Sequence, residues 1–172
     1  MATTTPNNGW VVPTSTDYVS QGAVAIETLG DAIDASVGTG LLAWQSWSPT
    51  LSGGWANGNG VWTAKYAKLG KLVFANGSFV VGSTTTKGTN LNVSLPVTAA
   101  TNAAATNVST NTVAGTATYL LWNTVDPGSQ IISFFAVNAS ATYATRTAIT
   151  SAIPATWATG DIIRFNVVYE AA

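Results

Sequence analysis

The chain has 172 residues, enough for one domain with a real core. Charged residues make up only 8%, the formal net charge is −1, and there is no Cys and no His. This argues against a basic footprint for nucleic acid and a polybasic membrane surface, and it rules out disulfides, thiolate zinc sites and His- or Cys-based catalysis.

The apolar fraction of 47% is that of an ordinary globular chain. The surface is rich in Thr, Ser, Asn and Gly, so it is polar but nearly uncharged. Solubility then comes from hydroxyls and amides, or from being held in an assembly. The start, MATTTPNNGW, has no basic region followed by an apolar run, and no apolar stretch approaches the ~20 residues that cross a bilayer. The expectation is a protein made in a cytoplasm that stays soluble or joins a particle, with no membrane insertion, no nucleic-acid partner and no cofactor.

Residues 1–16 read as a tail. Pro6 and Pro13 break helix, and Asn7-Asn8-Gly9 signals a turn. Trp10, Val11 and Val12 form an apolar knot in it. They either staple onto the next helix or anchor into another subunit.

Residues 17–38 are the one helical stretch. Ser15, Thr16 or Asp17 suits its N-cap, and Gly38 suits its C-terminal end. Val19, Ile26 and Ile33 recur every seven residues, with Gly22, Leu29 and Ser36 in the alternate slots. This is a short a/d seam. The helix either packs on its own β domain or pairs with copies of itself. β-branched residues at a with Leu at d lean towards two strands.

Residues 39–60 read as a linker and first strand. Leu41, Leu42, Trp44 and Trp47 begin the strand, Pro49 breaks it, and a Gly- and Asn-rich loop follows around Trp55. Residues 61–172 read as β. Strands are expected over Val61–Leu69, Leu72–Val81 (with Asn76-Gly77 as a candidate bulge), Thr89–Pro96, Gly115–Thr124, Ile131–Val137, Thr142–Ile149 and Ile162–Tyr169. Leu69-Gly70-Lys71 and Asp126-Pro127-Gly128-Ser129 are turns, the second of type II, and Ser83–Gly88 is a hairpin loop. Val97–Ala114 reads as a long surface loop or two weak edge strands. About eight short strands at this spacing suggest a β-sandwich, most simply jelly-roll-like.

Two stretches resemble a family of actinobacterial tailed-phage virion proteins. Thr5–Gly40 resembles the N-terminal segment of minor tail and fibre-like proteins. Trp44–Val97 resembles a phage head or receptor-binding domain through Trp47-Ser48-Pro49-Thr50, Trp62–Lys71, Gly82–Thr85 and Ser94–Pro96. The rest fits by strand pattern alone. The resemblance implies a homotrimer on a short helical stalk, with Val19, Ile26, Leu29 and Ile33 in the seam and Trp10, Val11 and Val12 as the anchor to other virion proteins. It implies a place on the outside of a particle. That makes the chain a tail-associated fibre or receptor-binding protein, or else a capsid decoration or head-fibre protein.

The loop residues Trp55 and Trp157 are the candidates for contact with a host cell-surface glycan. Trp44, Trp62 and Trp122, in strand-like runs, are expected in the core. The four Lys cluster between Lys65 and Lys87 while four of the seven acids lie in the helix region, which suits either solvated faces or charge pairing between subunits. A glycan-hydrolysing enzyme is the remote alternative. It needs two carboxylates facing each other, and no such pair stands out among seven acids, so no catalytic residue is assigned.

Overall fold

The structure is a computed structural model that describes residues 3–6, 9–38, 43–102, 105–140 and 142–172, with backbone only for 36–38 and 105–113. The chain forms two compact units, residues 1–43 and 44–172. The expected turn residues Asn7 and Asn8, and Leu41 and Leu42 of the expected first strand, lie outside the described residues.

In the first unit the tail contains a small hairpin. Strand β1 (Thr3–Thr4) pairs antiparallel with β2 (Val11–Val12). The Thr5 N–H donates to the Trp10 carbonyl, and the Trp10 N–H donates to the Thr5 hydroxyl. Helix α1 follows over Val19–Gly38. Asp17 braces its approach by accepting the Thr14 N–H on Oδ2. No helix among the described residues is long and apolar enough to cross a membrane.

The second unit is mainly β and antiparallel. Its strands are β3 (Gln45–Ser46), β4 (Leu51–Ser52), β5 (Val61–Leu69), β6 (Leu72–Val80), β7 (Asn92–Ser94), β8 (Ala105–Ala114), β9 (Ala117–Val125), β10 (Ile131–Asn138), β11 (Thr145–Ala148) and β12 (Ile162–Glu170). The hydrogen-bonded order is β3-β5-β6-β12-β8-β9-β10-β7-β4, with β11 on the same edge of β10 as β7. The β5–β6 hairpin turns at Gly70, where φ is +58°. The β9–β10 hairpin turns at Asp126–Ser129 as the sequence predicts. Gly128 takes a φ of +69°, and the Ser129 N–H donates to the Asp126 carbonyl.

The two halves of this sheet face each other across the core. β12 alternates cleanly, with Ile163, Phe165, Val167 and Tyr169 inward. The Phe165 ring meets Phe134 of β10 at 5.5 Å between centroids, and meets Trp47 and Trp62 from its own half at 6.0 and 6.2 Å.

Gly77 is no bulge. It stands opposite Ala64 of β5 and Phe165 of β12 in unbroken ladders. A Cβ there would lie 2.8 Å from the Phe165 ring, so the glycine leaves the space that the ring fills.

Val97–Ala114 is corrected more strongly. It holds the ten-residue strand β8, which lies inside the sheet between β12 and β9. Its composition has few large apolar residues, and backbone pairing to β12 on one edge and β9 on the other defines it. β8 pairs with β12 over only three residues, Asn111 to Val113, and its register with β9 shifts between Asn107 and Thr110. Such an irregularity bends a strand, and here it falls where β12 and β8 part.

Beyond that point side chains bridge the two halves. Asn123 of β9 is fully buried and its Nδ2 donates to the Asn166 carbonyl of β12. The Tyr169 hydroxyl donates to the Val97 carbonyl at 2.7 Å and accepts the Val97 N–H.

Two outcomes follow. Gly77→Ala should lower unfolding free energy by about 1–3 kcal/mol, read as a lower urea midpoint, because Phe165 is hemmed in and cannot yield. Burial pushes the Tyr169 phenol from 10.0 up to about 12. Its neutral form therefore stabilises the fold fully below about pH 10, and that contribution is lost as pH rises through about 12. Urea midpoints across this range should fall with pH, and Tyr169→Phe should flatten the fall. Difference absorbance between the unmodified chain and Tyr169→Phe should show the Tyr169 phenolate appearing near pH 12.

Candidate functional site

The first candidate is α1. At 3.6 residues per turn its side chains divide into three sectors. Asp17, Gln21, Val24, Ala25 and Thr28 line a groove with Val11 of β2, so the hairpin lies along this side of the helix. Val19, Ile26, Leu29 and Ile33 lie roughly 140° around from it. Glu27, Asp31 and Asp34 occupy the remaining sector.

Apolar surface is open along the seam, and also at Val24 in the groove, which is 63% exposed. Val19 is 97% exposed, Ile26 64% and Ile33 39%, while Leu29 and Gly22 are half-buried. The side chain of Ser36, the last seam position, lies outside the described residues. Of the expected anchor, Val11 is exposed and Trp10 and Val12 are half-buried. Their hairpin backs onto the helix and leaves the seam uncovered within this unit.

The second candidate is the pair of loop tryptophans, and here the structure corrects the expectation of exposure. Trp55 and Trp157 are each 3% exposed and pack edge to face at 5.7 Å. Trp157 Nε1 donates to the carbonyls of Thr150 and Ile153. Neither ring has a face free for a sugar. The Gly- and Asn-rich loop is polar in composition, yet it folds down onto the Ser83–Gly88 loop and closes over Trp55.

Glycines make that closure. A Cβ on Gly88 would meet the Gly54 backbone at 2.4 Å, and one on Gly58 would meet the Thr84 carbonyl at 2.3 Å. Two asparagines then lock the loops. Asn57 Oδ1 accepts the Leu51 N–H, its Nδ2 donates to the Pro49 carbonyl, and its own carbonyl accepts the Thr85 hydroxyl. Asn59 Oδ1 accepts the Thr84 N–H while its Nδ2 donates to the Ser83 hydroxyl. The Thr50 N–H donates to the Ser94 hydroxyl. Three of the four motifs behind the phage resemblance, those at Trp47–Thr50, Gly82–Thr85 and Ser94–Pro96, are thus joined in one network. What they hold together is the fold.

The aromatics expected in the core divide. Trp62 packs on Phe79 at 4.7 Å. Trp122 lies opposite Phe135 and is half-buried. Trp44 is 51% exposed, with the Lys65 ammonium 4.7 Å above its ring. Its alternation within a short apolar run could not reveal that the run ends at the domain's edge.

All six Lys and Arg lie in the second unit, and four of the seven acids lie in the first. Asp161, a buried acid, accepts the N–H groups of Gly115 and Ala158, so its carboxylate is occupied in holding two turns. Among the described residues no group of three His, Cys, Asp or Glu is placed to hold a metal.

Compared with protein-family models, with curated proteins and with solved structures, the chain matches none. Trp157→Ala tests the buried role. It should cost roughly 3–5 kcal/mol of stability, seen as a lowered thermal midpoint, whereas a surface-stacking tryptophan would leave the midpoint nearly unchanged.

Proposed function

We propose that the protein is a non-enzymatic virion component, a homotrimer held by α1 that displays its β domain to the host surface. The observation that carries this reading is the open stripe of Val19, Ile26 and Ile33, on a different side of the helix from the groove that Val11 of the hairpin lines. Helices in proteins draw most of their stability from packing an apolar face, and α1, of 20 residues, leaves this stripe in water. Pairing copies through that stripe buries it without displacing β1 and β2. Three copies is the number that the family resemblance implies. In such a bundle the three hairpins sit on the outside, where Trp10, Val11 and Val12 can anchor to other virion proteins.

The β domain is the displayed part. We read it as a jelly-roll-like sandwich. The support is that β12 returns by a long connection to lie between β6 and β8, as in Greek-key arrangements. A tail-associated fibre or receptor-binding protein is the first choice. Immunogold labelling of particles separates it from a capsid decoration or head-fibre protein: label at the tail supports it, and label over the capsid overturns it.

Light scattering tests the trimer. The intact chain should have the mass of three copies, and Ile26→Asp combined with Ile33→Asp should give monomers whose near-ultraviolet tryptophan spectrum is unchanged. A monomeric unmodified chain would refute the stalk.

A further inference from the structure

With Trp55 and Trp157 buried, a displayed domain needs another surface for its ligand. One groove stands out, of about 480 Å³, within the roughly 300–1,000 Å³ of small-molecule sites. It lies at one end of the core-facing side of the sheet. Tyr119 is two residues from the buried Leu121 on β9, so both lie on one face. Asn138 and Thr147 join that face through β10 and β11, where Ala136 pairs with Thr147. Ile153 and Pro154, from the loop after β11, form another part of its wall. The indole of Trp157 holds that wall through its bonds to the Thr150 and Ile153 carbonyls. Trp157 is thus a positioning residue for the groove.

The chemistry of the lining is specific. It offers one aromatic ring, a proline, an isoleucine, an amide and hydroxyls, and no Asp, Glu, Lys or Arg lines it. Arg146, next to Thr147 in the chain, turns to the other face, with its guanidinium 4.5 Å over the Phe135 ring. Asn138 is fixed in advance. Its Oδ1 accepts both the N–H and the hydroxyl of Ser140, at 3.0 and 2.6 Å, so its Nδ2 donors remain for a ligand.

An anion finds no cation here. A peptide strand finds the edge of β10 already taken, because β11 pairs with it from Phe135 to Asn138. What fits is a ligand with an apolar face, many hydroxyls and no charge. We propose that this groove binds a neutral saccharide, with a sugar face against Tyr119 and sugar hydroxyls bonded to Asn138, Ser140 and Thr147. The inference rests on the reading of the β domain as the displayed, host-contacting part.

Saturation-transfer NMR on the full chain tests it, with glucose, galactose and N-acetylglucosamine as probes and glucuronic acid as the charged counterpart. At least one neutral sugar should receive saturation at millimolar concentration, and glucuronic acid should receive less. Tyr119→Ala should weaken binding by about tenfold and Tyr119→Phe should retain it. Thr147→Val, which keeps the side chain's shape, should weaken binding severalfold and serves if Tyr119→Ala does not fold. No transfer to any neutral sugar, stronger transfer to glucuronic acid, or binding indifferent to both Tyr119→Ala and Thr147→Val overturns the proposal. The mass of the same samples keeps the two readings apart. A trimer that binds no sugar sinks the groove and leaves the stalk, and a monomer that binds sugar does the reverse.

Discussion

The β domain depends on how the ring of Phe165 is seated. Four strands and one loop converge on it: β12 carries it, β6 makes room with Gly77, β5 sends Trp62, β10 sends Phe134 across from the other half, and Trp47 closes a side. Edge-to-face aromatic pairs add about 0.5–1.5 kcal/mol each beyond the area they bury. The geometry matters as much as the energy. A ring held on several sides has one position, so it fixes the spacing and the register of both halves together. With backbone pairing between β12 and β8 limited to three residues, this side-chain contact, with Asn123 and Tyr169, joins the halves elsewhere along β12.

Much of this was legible in the residues, for a physical reason. β12, β5 and the Asp126–Ser129 turn are specified by their own sequence, through alternation in the strands and through Pro and Gly at defined turn positions. The helix is likewise specified by its period. Elements specified by their neighbours were not legible. Gly77 looks like a break until Phe165 is placed beside it, and β8 looks like a loop until β9 and β12 supply its hydrogen bonds. The tail hairpin is only two paired residues on each side, below any periodic signal.

The tryptophans make the same point about function. Loop position and flanking Gly and Asn suggested that Trp55 and Trp157 were surface groups. In fact those glycines let two loop backbones approach closely enough to seal the rings in. Composition tells how polar a loop is, and it does not tell which way the loop folds. The groove at Tyr119 is not legible in the sequence for the converse reason. Its members come from β9, β10, β11 and the following loop, and no short stretch of sequence brings them together.

The position of β12 has a consequence for how the chain is made. It is the last strand in order, yet it lies between β6 and β8 in the sheet and carries Phe165. As the chain leaves the ribosome, the hairpin and helix have all their local contacts early, and such contacts form fast. The β domain cannot seat its central ring until β12 has been synthesised. In the proposed trimer, that interval leaves α1 time to meet its counterparts on neighbouring nascent chains, so that association through the seam would have a head start over completion of the domain it carries.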